Sequence, residues 1–186
     1  MRLIFAILLF SPLFLVAQND FIIKLNLTDL IVNRYSVGFE KKLNESFAFE
    51  IDIDYLRKDI WLESYHPWFQ PPINTVKKGV IIKPQFRWYL FNKESKGIYT
   101  SLAGFFGLAK YHPKSNVLLE NDDWSSIGGS LHLGFQLFLG KMVIDSFLGT
   151  TLANDNYPGP YFESTALFPA PDGLRFSGGI RLGFSI

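Results

Sequence analysis

The sequence contains no cysteine, carries almost no net charge and has only one long apolar run. The absence of cysteine excludes a disulfide framework, a Cys-ligated zinc site, a thiol nucleophile and a lipid-modified cysteine. A formal net charge of +1 argues against a nucleic-acid partner, because such partners require a basic face. A length of 186 residues accommodates one domain. Aromatic residues, by contrast, are abundant, at 17% of the chain with 19 Phe.

The single long apolar run lies at the N-terminus and has the pattern of a secretory signal peptide. Arg2 provides the positive charge, segment 3–16 is apolar apart from two positions, and Ala17 is small enough to precede a cleavage site. About 14 apolar residues are fewer than the roughly 20 that a membrane-spanning helix needs. We therefore expect residues 1–17 to be a cleaved signal peptide. Residues 18–186 then form a single exported domain, which can span a membrane only as strands.

The remaining chain alternates apolar and polar residues with a period of two, which is typical of β-strands. In segment 47–55, Phe, Ile and Tyr residues alternate with Ala48, Glu50, Asp52 and Asp54. Eight such segments follow one another, and many reach about 10 residues, close to the 9–11 of a tilted membrane-spanning strand. The pattern leaves open which faces of segments 97–110 and 142–154 point inward. The sequence thus predicts an all-β fold, an eight-stranded antiparallel up-and-down transmembrane β-barrel.

The predicted connections alternate between short polar turns and long segments. The turns are 44–45, 92–96 and 140–141, the long segments are 58–77, 111–123 and 155–173, and the first connection, 29–33, is short. Short periplasmic turns and longer extracellular loops are the layout of an outer-membrane barrel, so we expect the protein in the outer membrane.

The parity of the polar residues predicts how two pairs of strands align. Polar residues are even-numbered on both the second and the third strand, so the turn between them needs an odd number of residues. We therefore predict a three-residue turn, Asn44 to Ser46, with Leu43 opposite Phe47. The two-residue turn at Gly140 and Lys141 places Gln136 opposite Asp145.

The polar rows predict the contents of the barrel. An eight-stranded barrel is just wide enough for side chains to fill, so we expect a packed polar lumen rather than a channel. Opposite charges in such a lumen must neutralise one another, with Arg87 and Arg181 as hubs. The predicted ion-pair network consists of Lys24, Arg34, Glu40, Lys42, Glu50, Asp52, Asp54, Lys83, Arg87, Asp145, Arg175 and Arg181. On the outer surface, Tyr35, Tyr55, Trp88 and Trp124 are predicted to form aromatic girdles at the membrane interfaces.

Several segments resemble a known group of proteins. Segment 35–43 reads YSVGFEKKL, segment 83–90 reads KPQFRWYL, and segment 127–136 reads IGGSLHLGFQ. These resemble the strand motifs of small, largely uncharacterised outer-membrane β-barrels of Bacteroidota, which are eight-stranded barrels of the OmpA and OmpX type. The resemblance covers most of the chain after residue 17. It implies the barrel type but no chemistry.

Two polar constellations could carry chemistry. Ser130, His132 and Asp145 permit a Ser–His–Asp arrangement, and the Glu50, Asp52 and Asp54 row could serve acid–base chemistry or hold calcium. The alternative for the acidic row is neutralisation by cations on adjoining strands, which we favour because those cations are present. His66 and His112 are weak metal candidates. We expect no catalytic residue, no metal and no cofactor.

Aromatic residues in the long segments suggest a surface role. They either anchor the loops at lipid headgroups or bind a glycan, peptide or protein. The candidates are Trp61, Tyr65, Trp68, Phe69, Tyr157, Tyr161 and Phe162. The leading hypothesis is a monomeric, non-enzymatic outer-membrane protein with a structural or surface-interaction role. Its partners are then outer-membrane lipid, the barrel assembly machinery and an extracellular glycan or protein ligand. The alternatives are a lipid A acyltransferase or deacylase, and a soluble periplasmic barrel that binds an apolar ligand.

Overall fold

The computed structural model describes residues 21–31, 33–61, 74–90, 97–113, 123–155 and 173–186. They form eight strands and one short helix. These are β1 (Phe21–Asn26), α1 (Leu27–Ile31), β2 (Arg34–Lys42), β3 (Phe47–Trp61), β4 (Asn74–Tyr89), β5 (Gly97–Pro113), β6 (Asp123–Leu139), β7 (Met142–Asp155) and β8 (Gly173–Ser185). No helix within these ranges has the length and apolarity to cross a bilayer.

Each strand pairs with its neighbours in sequence, and β8 returns to pair with β1. All pairs are antiparallel, so the sheet closes into an up-and-down barrel, and the predicted eight-stranded fold is confirmed. Phe21 and Ile186 lie at the same end, where the Ile186 N–H donates to the Phe21 carbonyl over 2.9 Å. We call this the proximal end and the end that carries α1 the distal end.

Both predicted turn registers are confirmed. The Leu43 N–H donates to the Phe47 carbonyl over 2.8 Å, so three residues form the turn. Asn44 stabilises it, because its side-chain oxygen accepts from the backbone N–H groups of Ser46 and Phe47. At the other turn Gln136 pairs with Asp145 as predicted, and Gly140 takes the positive φ of 65° that a tight hairpin favours.

The strands differ from the prediction in length at the distal end. Residues 58–61 and 74–77 continue β3 and β4, and residues 111–113 continue β5, so these loops are shorter than predicted. The predicted first connection, 29–33, is also wrong, but here the connection is longer than predicted, because β1 stops at Asn26 and a helix follows. The Asn26 side chain caps this helix by accepting from the Thr28 N–H over 3.1 Å, an interaction that competes with strand pairing.

Large apolar side chains are exposed on the outside of all eight strands, while the inward rows are polar and charged. This arrangement also resolves the faces of β5 and β7, where Tyr99, Ser101, Asp145 and Thr151 point inward. Trp124 contradicts the girdle prediction, because only 3% of it is exposed and it lies inside the barrel. Its ring fills the space beside Gly107, where a side chain would collide with it. Strand-end position alone does not distinguish the two faces.

Candidate functional site

The inward residues of single strands divide the lumen into four layers. Along β3, from the proximal to the distal end, they are Ala48, Glu50, Asp52, Asp54 and Leu56. Along β4 the same layers appear in the opposite chain direction, as Ile81, Lys83, Gln85, Arg87 and Tyr89. The lumen is therefore apolar at both ends and ionic or polar between them. From the proximal to the distal end we call these layers the floor, the central belt, the distal chamber and the cap. On β3 the floor is Ala48, the belt is Glu50, the chamber is Asp52 and Asp54, and the cap is Leu56.

The central belt consists of three cations and three anions, all at most 3% exposed. Its members are Lys24, Arg87, Arg181, Glu40, Glu50 and Asp145. The Lys24 ammonium contacts Glu40 and lies 2.8 Å from Glu50 Oε2 and from Asp145 Oδ2. These three carboxylates are close enough together to surround a metal ion, but the lysine ammonium supplies the positive charge there.

Arg87 is a hub of the belt, as predicted. Its Nη2 lies 2.8 Å from Glu50 Oε1, and its Nη1 lies 2.8 Å from Asp145 Oδ2 and 3.0 Å from Glu40 Oε2. The guanidinium also stacks 4.4 Å from the centre of the Tyr99 ring, whose hydroxyl donates to Asp145 over 2.6 Å. A planar guanidinium can satisfy several carboxylates at once, which a lysine cannot do in the same way. The belt is thus neutral and its charged groups are mutually paired.

The floor and the cap enclose the polar layers. Ile22, Ala48 and Val143 are fully buried towards the proximal end, where the Tyr89 and Tyr99 rings pack together. Towards the distal end Trp124 packs beside Gly107 and Ile81. Both layers place apolar side chains across the barrel, as expected for a barrel of this strand number.

The distal chamber contains a second set of ion pairs. Arg34 and Ser36 both contact Asp29 of α1, whose carboxylate also accepts from the Asn26 amide over 2.8 Å. Of the other two acidic groups, Asp54 pairs with the adjoining strand, where Lys83 Nζ lies 2.8 Å from Asp54 Oδ2, and Asp52 pairs across the barrel, where Arg181 Nη2 lies 3.0 Å from Asp52 Oδ2. The chamber is therefore bounded below by the belt and at one side by the helix.

A chain of hydroxyl groups and one imidazole lies on the opposite wall of the chamber. His132 Nε2 is 2.8 Å from Ser177 Oγ, and the Thr151 hydroxyl is 3.1 Å from Ser177 Oγ and 3.0 Å from Ser130 Oγ. The imidazole packs edge-on against Phe147, with ring centres 5.1 Å apart, and fills the space that Gly149 leaves open. His132 Nδ1 and Ser101 Oγ are buried without a hydrogen-bond partner among the described residues.

A small cavity of about 10 Å³ lies between these two walls. That volume corresponds to room for roughly one water molecule. The residues around it come from all eight strands and α1: Asn26, Asp29, Arg34, Asp52, Lys83, Gln85, Ala103, Ser130, His132, Phe147 and Arg181. Among the described residues, the chamber is thus the part of the lumen where polar groups face open space.

Ten of the twelve residues predicted for the ion-pair network are buried in the belt or chamber with partners of opposite charge. Lys42 differs, because it is partly exposed and its Nζ lies 5.0 Å from the centre of the Phe138 ring. Lys42 lies near the proximal rim, where its long side chain can place the ammonium in solvent. Arg175 pairs in the backbone register with Thr151, and its side chain lies outside the described part.

The Ser–His–Asp arrangement that the sequence permits is not assembled among Ser130, His132 and Asp145. Asp145 is held in the belt by Lys24 and Arg87, and Ser130 contacts Thr151 rather than His132. The serine that does contact the imidazole is Ser177 on β8, which the sequence reasoning missed. The alternation of β8 could have placed Ser177 inward, but only the register of β6, β7 and β8 aligns it with His132.

The remaining predictions concern other regions. His112 is exposed near the end of β5, and His66 lies outside the described residues. Trp61 is the last residue of β3, and its side chain is not described. The other candidate loop aromatics, Tyr65, Trp68, Phe69, Tyr157, Tyr161 and Phe162, also fall outside the described ranges.

No family model, no curated protein and no solved structure matches this chain. The resemblance of segments 35–43, 83–90 and 127–136 to barrels of Bacteroidota therefore stays a prediction from motifs. The closed eight-stranded barrel is a finding that does not depend on it.

Proposed function

We propose that this chain is an integral outer-membrane β-barrel with a structural or surface-interaction role. The observation that carries the proposal is the distribution of polarity, which is the reverse of that in a water-soluble protein. Side chains such as Leu102 and Phe176 are 66% and 64% exposed on the outer face, whereas Arg87 and Glu50 are fully buried inside. An apolar outer band around a polar interior is what a lipid bilayer requires of a barrel.

The aromatic residues on the outer face support the same location. Tyr35 and Tyr55 pair at the distal end of β2 and in the middle of the longer β3, with ring centres 6.4 Å apart, and both are exposed. Trp88 and Phe47 stack near the opposite end of the barrel, with ring centres 6.3 Å apart. Two aromatic groups separated along the strands suit the two interfaces of a membrane. The distal end then faces outward and the proximal end faces the periplasm.

The packed lumen supports a role without conduction. The floor, the belt and the cap each place side chains across the barrel, and the belt carries no net charge. The protein's partners under this proposal are outer-membrane lipid, the barrel assembly machinery and a glycan or protein ligand of the distal loops. The same ionic interior argues against a soluble carrier of apolar ligands, since an apolar ligand needs an apolar cavity.

Heat-modifiable gel migration of membrane fractions tests the proposal. A folded barrel in the outer-membrane fraction should migrate differently before and after boiling, and purified protein in planar bilayers should give no ion conductance. A protein found only in the periplasmic fraction contradicts the membrane location. Steady conductance contradicts the closed lumen.

A second candidate function is a lipid-modifying enzyme. The 2.8 Å contact between His132 and Ser177 favours it, because an imidazole that accepts from a serine hydroxyl can activate that hydroxyl as a nucleophile. Asp145 is held in the belt and Ser130 contacts Thr151, so this candidate rests on Ser177 rather than on Ser130.

A further inference from the structure

Beside α1, parts of two strands of the barrel wall are paired on one side only among the described residues. β8 pairs with β7 as far as Gly173, but its pairing with β1 ends at Arg181. On the other side, β3 pairs with β4 as far as Trp61, but its pairing with β2 ends at Leu56. Residues 174–180 of β8 and 57–61 of β3 therefore pair on one side only within the described part of the chain. We call the space between these two strand edges the lateral gap.

The helix α1 lies at the base of the lateral gap and contacts the β8 edge, and the turn after it contacts the β3 edge. Thr28 Oγ1 accepts from the Ile180 N–H of β8 over 2.7 Å, and the carbonyl of Asn33, just after α1, accepts from the Arg57 N–H of β3 over 3.2 Å. Towards the lumen the helix is held by one side chain, Asp29, through its contacts with Asn26, Arg34 and Ser36. A single turn held in this way can move without disturbing the strand pairs of the barrel.

Ser177 lies on the edge of the lateral gap. It belongs to the part of β8 that has no β1 partner, and its hydroxyl points into the chamber towards His132. The outer faces of the gap are apolar, since Phe176 on β8 and Ile31 on α1 are 64% and 82% exposed. A group that enters through the gap meets this serine before it meets the belt.

We propose that Ser177 and His132 form an acyl-transfer site for carboxylic esters of lipids, which enter sideways through the lateral gap when α1 moves. The proposal rests on the proposed membrane location, because an outer-leaflet lipid is the ester that reaches the gap from the side. It adds an activity to the scaffold role and does not use the predicted Ser130 or Asp145.

The chemistry requires only the groups present and water. Ser177 Oγ attacks the ester carbonyl carbon while its proton passes to His132 Nε2. The tetrahedral intermediate collapses, the alcohol of the lipid leaves with that proton, and the acyl group remains on Ser177. A water molecule, deprotonated by the same nitrogen, then releases the fatty acid and restores the serine hydroxyl. Thr151, 3.1 Å from Ser177 Oγ, holds the nucleophile in position.

The imidazole is positioned by packing rather than by a carboxylate. In the tautomer that accepts from Ser177, the proton lies on Nδ1, which has no partner among the described residues. Phe147 and the bare backbone of Gly149 fix the ring instead. An orienting carboxylate normally accelerates this chemistry by a large factor, so the expected turnover is slow. Covalent labelling is for that reason a more sensitive test than product formation.

The test uses the full exported chain, purified in detergent micelles and treated with a fluorophosphonate probe. We expect labelling of Ser177, identified by peptide mass spectrometry, and at least a tenfold loss of labelling in S177A and in H132Q. The matched control is S126A, a buried serine six residues from His132 on the same strand and away from the cavity. It should label at the wild-type rate. D29N should label several times faster, because the helix loses the charge that holds it to Arg34.

The lipid source is determined in two further arms. One supplies vesicles of phosphatidylethanolamine and the other supplies lipopolysaccharide, and released fatty acid is measured by mass spectrometry for wild type and S177A. Release from either lipid by wild type alone supports the site and identifies its source. Heat-modifiable migration of each variant is recorded in parallel, so that loss of the barrel is distinguished from loss of the site.

Three outcomes overturn the proposal. They are a correctly folded wild-type barrel that is not labelled, labelling at a residue other than Ser177, and labelling without acyl release from either lipid. An unchanged labelling rate in D29N overturns the role of α1 as the moving element. A protein that labels at Ser177 but fractionates with the periplasm retains the site and contradicts the membrane location.

Discussion

The central belt and the distal chamber are built from the same strands, yet their polar groups are satisfied to different degrees. Glu50 and Asp52 are two residues apart on β3, and Arg87 and Gln85 are two residues apart on β4. In the belt, one ammonium and two guanidinium groups are shared among three carboxylates. In the chamber, His132 Nδ1 and Ser101 Oγ are buried without a hydrogen-bond partner among the described residues.

The surroundings of the two layers explain this difference. The belt lies where all eight strands are paired on both sides, so its groups have no access to solvent and must neutralise one another. The chamber lies at the distal ends of β1 and β2, where their pairing with β8 and β3 stops and α1 contributes one inward carboxylate. Complete pairing is suited to a stable barrier, whereas locally incomplete pairing is typical of functional sites.

Removal of Arg87 should give the largest change in stability. Arg87→Met leaves Glu40, Glu50 and Asp145 with fewer partners, and loss of one member of a buried ion network costs about 3–5 kcal/mol. The free energy of unfolding can be measured by urea titration in detergent micelles, with tryptophan fluorescence as the readout.

The matched control for Arg87→Met is Lys110→Met. Lys110 Nζ lies 3.3 Å from Asp123 Oδ1, but the two side chains are 64% and 67% exposed, so the expected change is below about 1 kcal/mol. Equal losses in the two variants would show that the belt does not stabilise the barrel more than a surface pair does.

A methyl group at Gly149 should perturb the chamber while the belt stays intact. The added Cβ atom would lie 2.0 Å from the Leu131 carbonyl oxygen and 2.8 Å from the ring carbon Cδ2 of His132. Gly149→Ala should therefore lower the free energy of unfolding by about 1–3 kcal/mol, and it should displace the imidazole from Ser177. Gly104→Ala is the control, since its Cβ atom meets nothing closer than 4.0 Å. Loss of fluorophosphonate labelling in Gly104→Ala would mean that labelling does not report on the chamber.

The sequence predicted the belt better than the chamber, for a physical reason. Strict alternation fixes which residues point inward, so Glu50 and Arg87 could be placed in the lumen from parity, whereas Asp145 lies on a segment whose faces the pattern left open. The belt follows from that placement, since opposite charges in a closed lumen must pair. The contact between Ser177 and His132 depends on the register across three strands, whereas the shared face of Ser130 and His132 follows from the alternation of one strand. Alternation gave no sign that β1 would end at Asn26, but it does place Trp124 on the inward face, in phase with Ser126 and His132, and the girdle prediction overlooked that parity.

Thr151 tests a smaller effect within the chamber. Thr151→Val removes the hydroxyl that contacts both Ser130 and Ser177 but keeps the shape of the side chain. The expected loss is about 0.5–1.5 kcal/mol in the free energy of unfolding, the usual contribution of one hydrogen bond. Labelling of Ser177 should slow without being abolished, because His132 still accepts its proton. Abolished labelling would assign Thr151 more than a positioning role.

Acid should weaken the contact between α1 and the barrel through Asp29. Burial by itself raises the pKa of the Asp29 carboxyl, but the Arg34 guanidinium and the Lys83 ammonium lower it further, so its pKa lies below the ordinary value. A carboxyl with a lowered folded-state pKa stabilises the fold above its unfolded pKa of about 4, and this contribution is lost as the pH falls below that value. Between pH 6 and pH 3, wild type should therefore lose more stability than Asp29→Asn, whose side chain does not titrate. The difference between the two urea titrations isolates Asp29 from the other carboxyls. Parallel curves would mean that the charge of Asp29 does not hold α1 in place, and that the lateral gap is closed by other contacts.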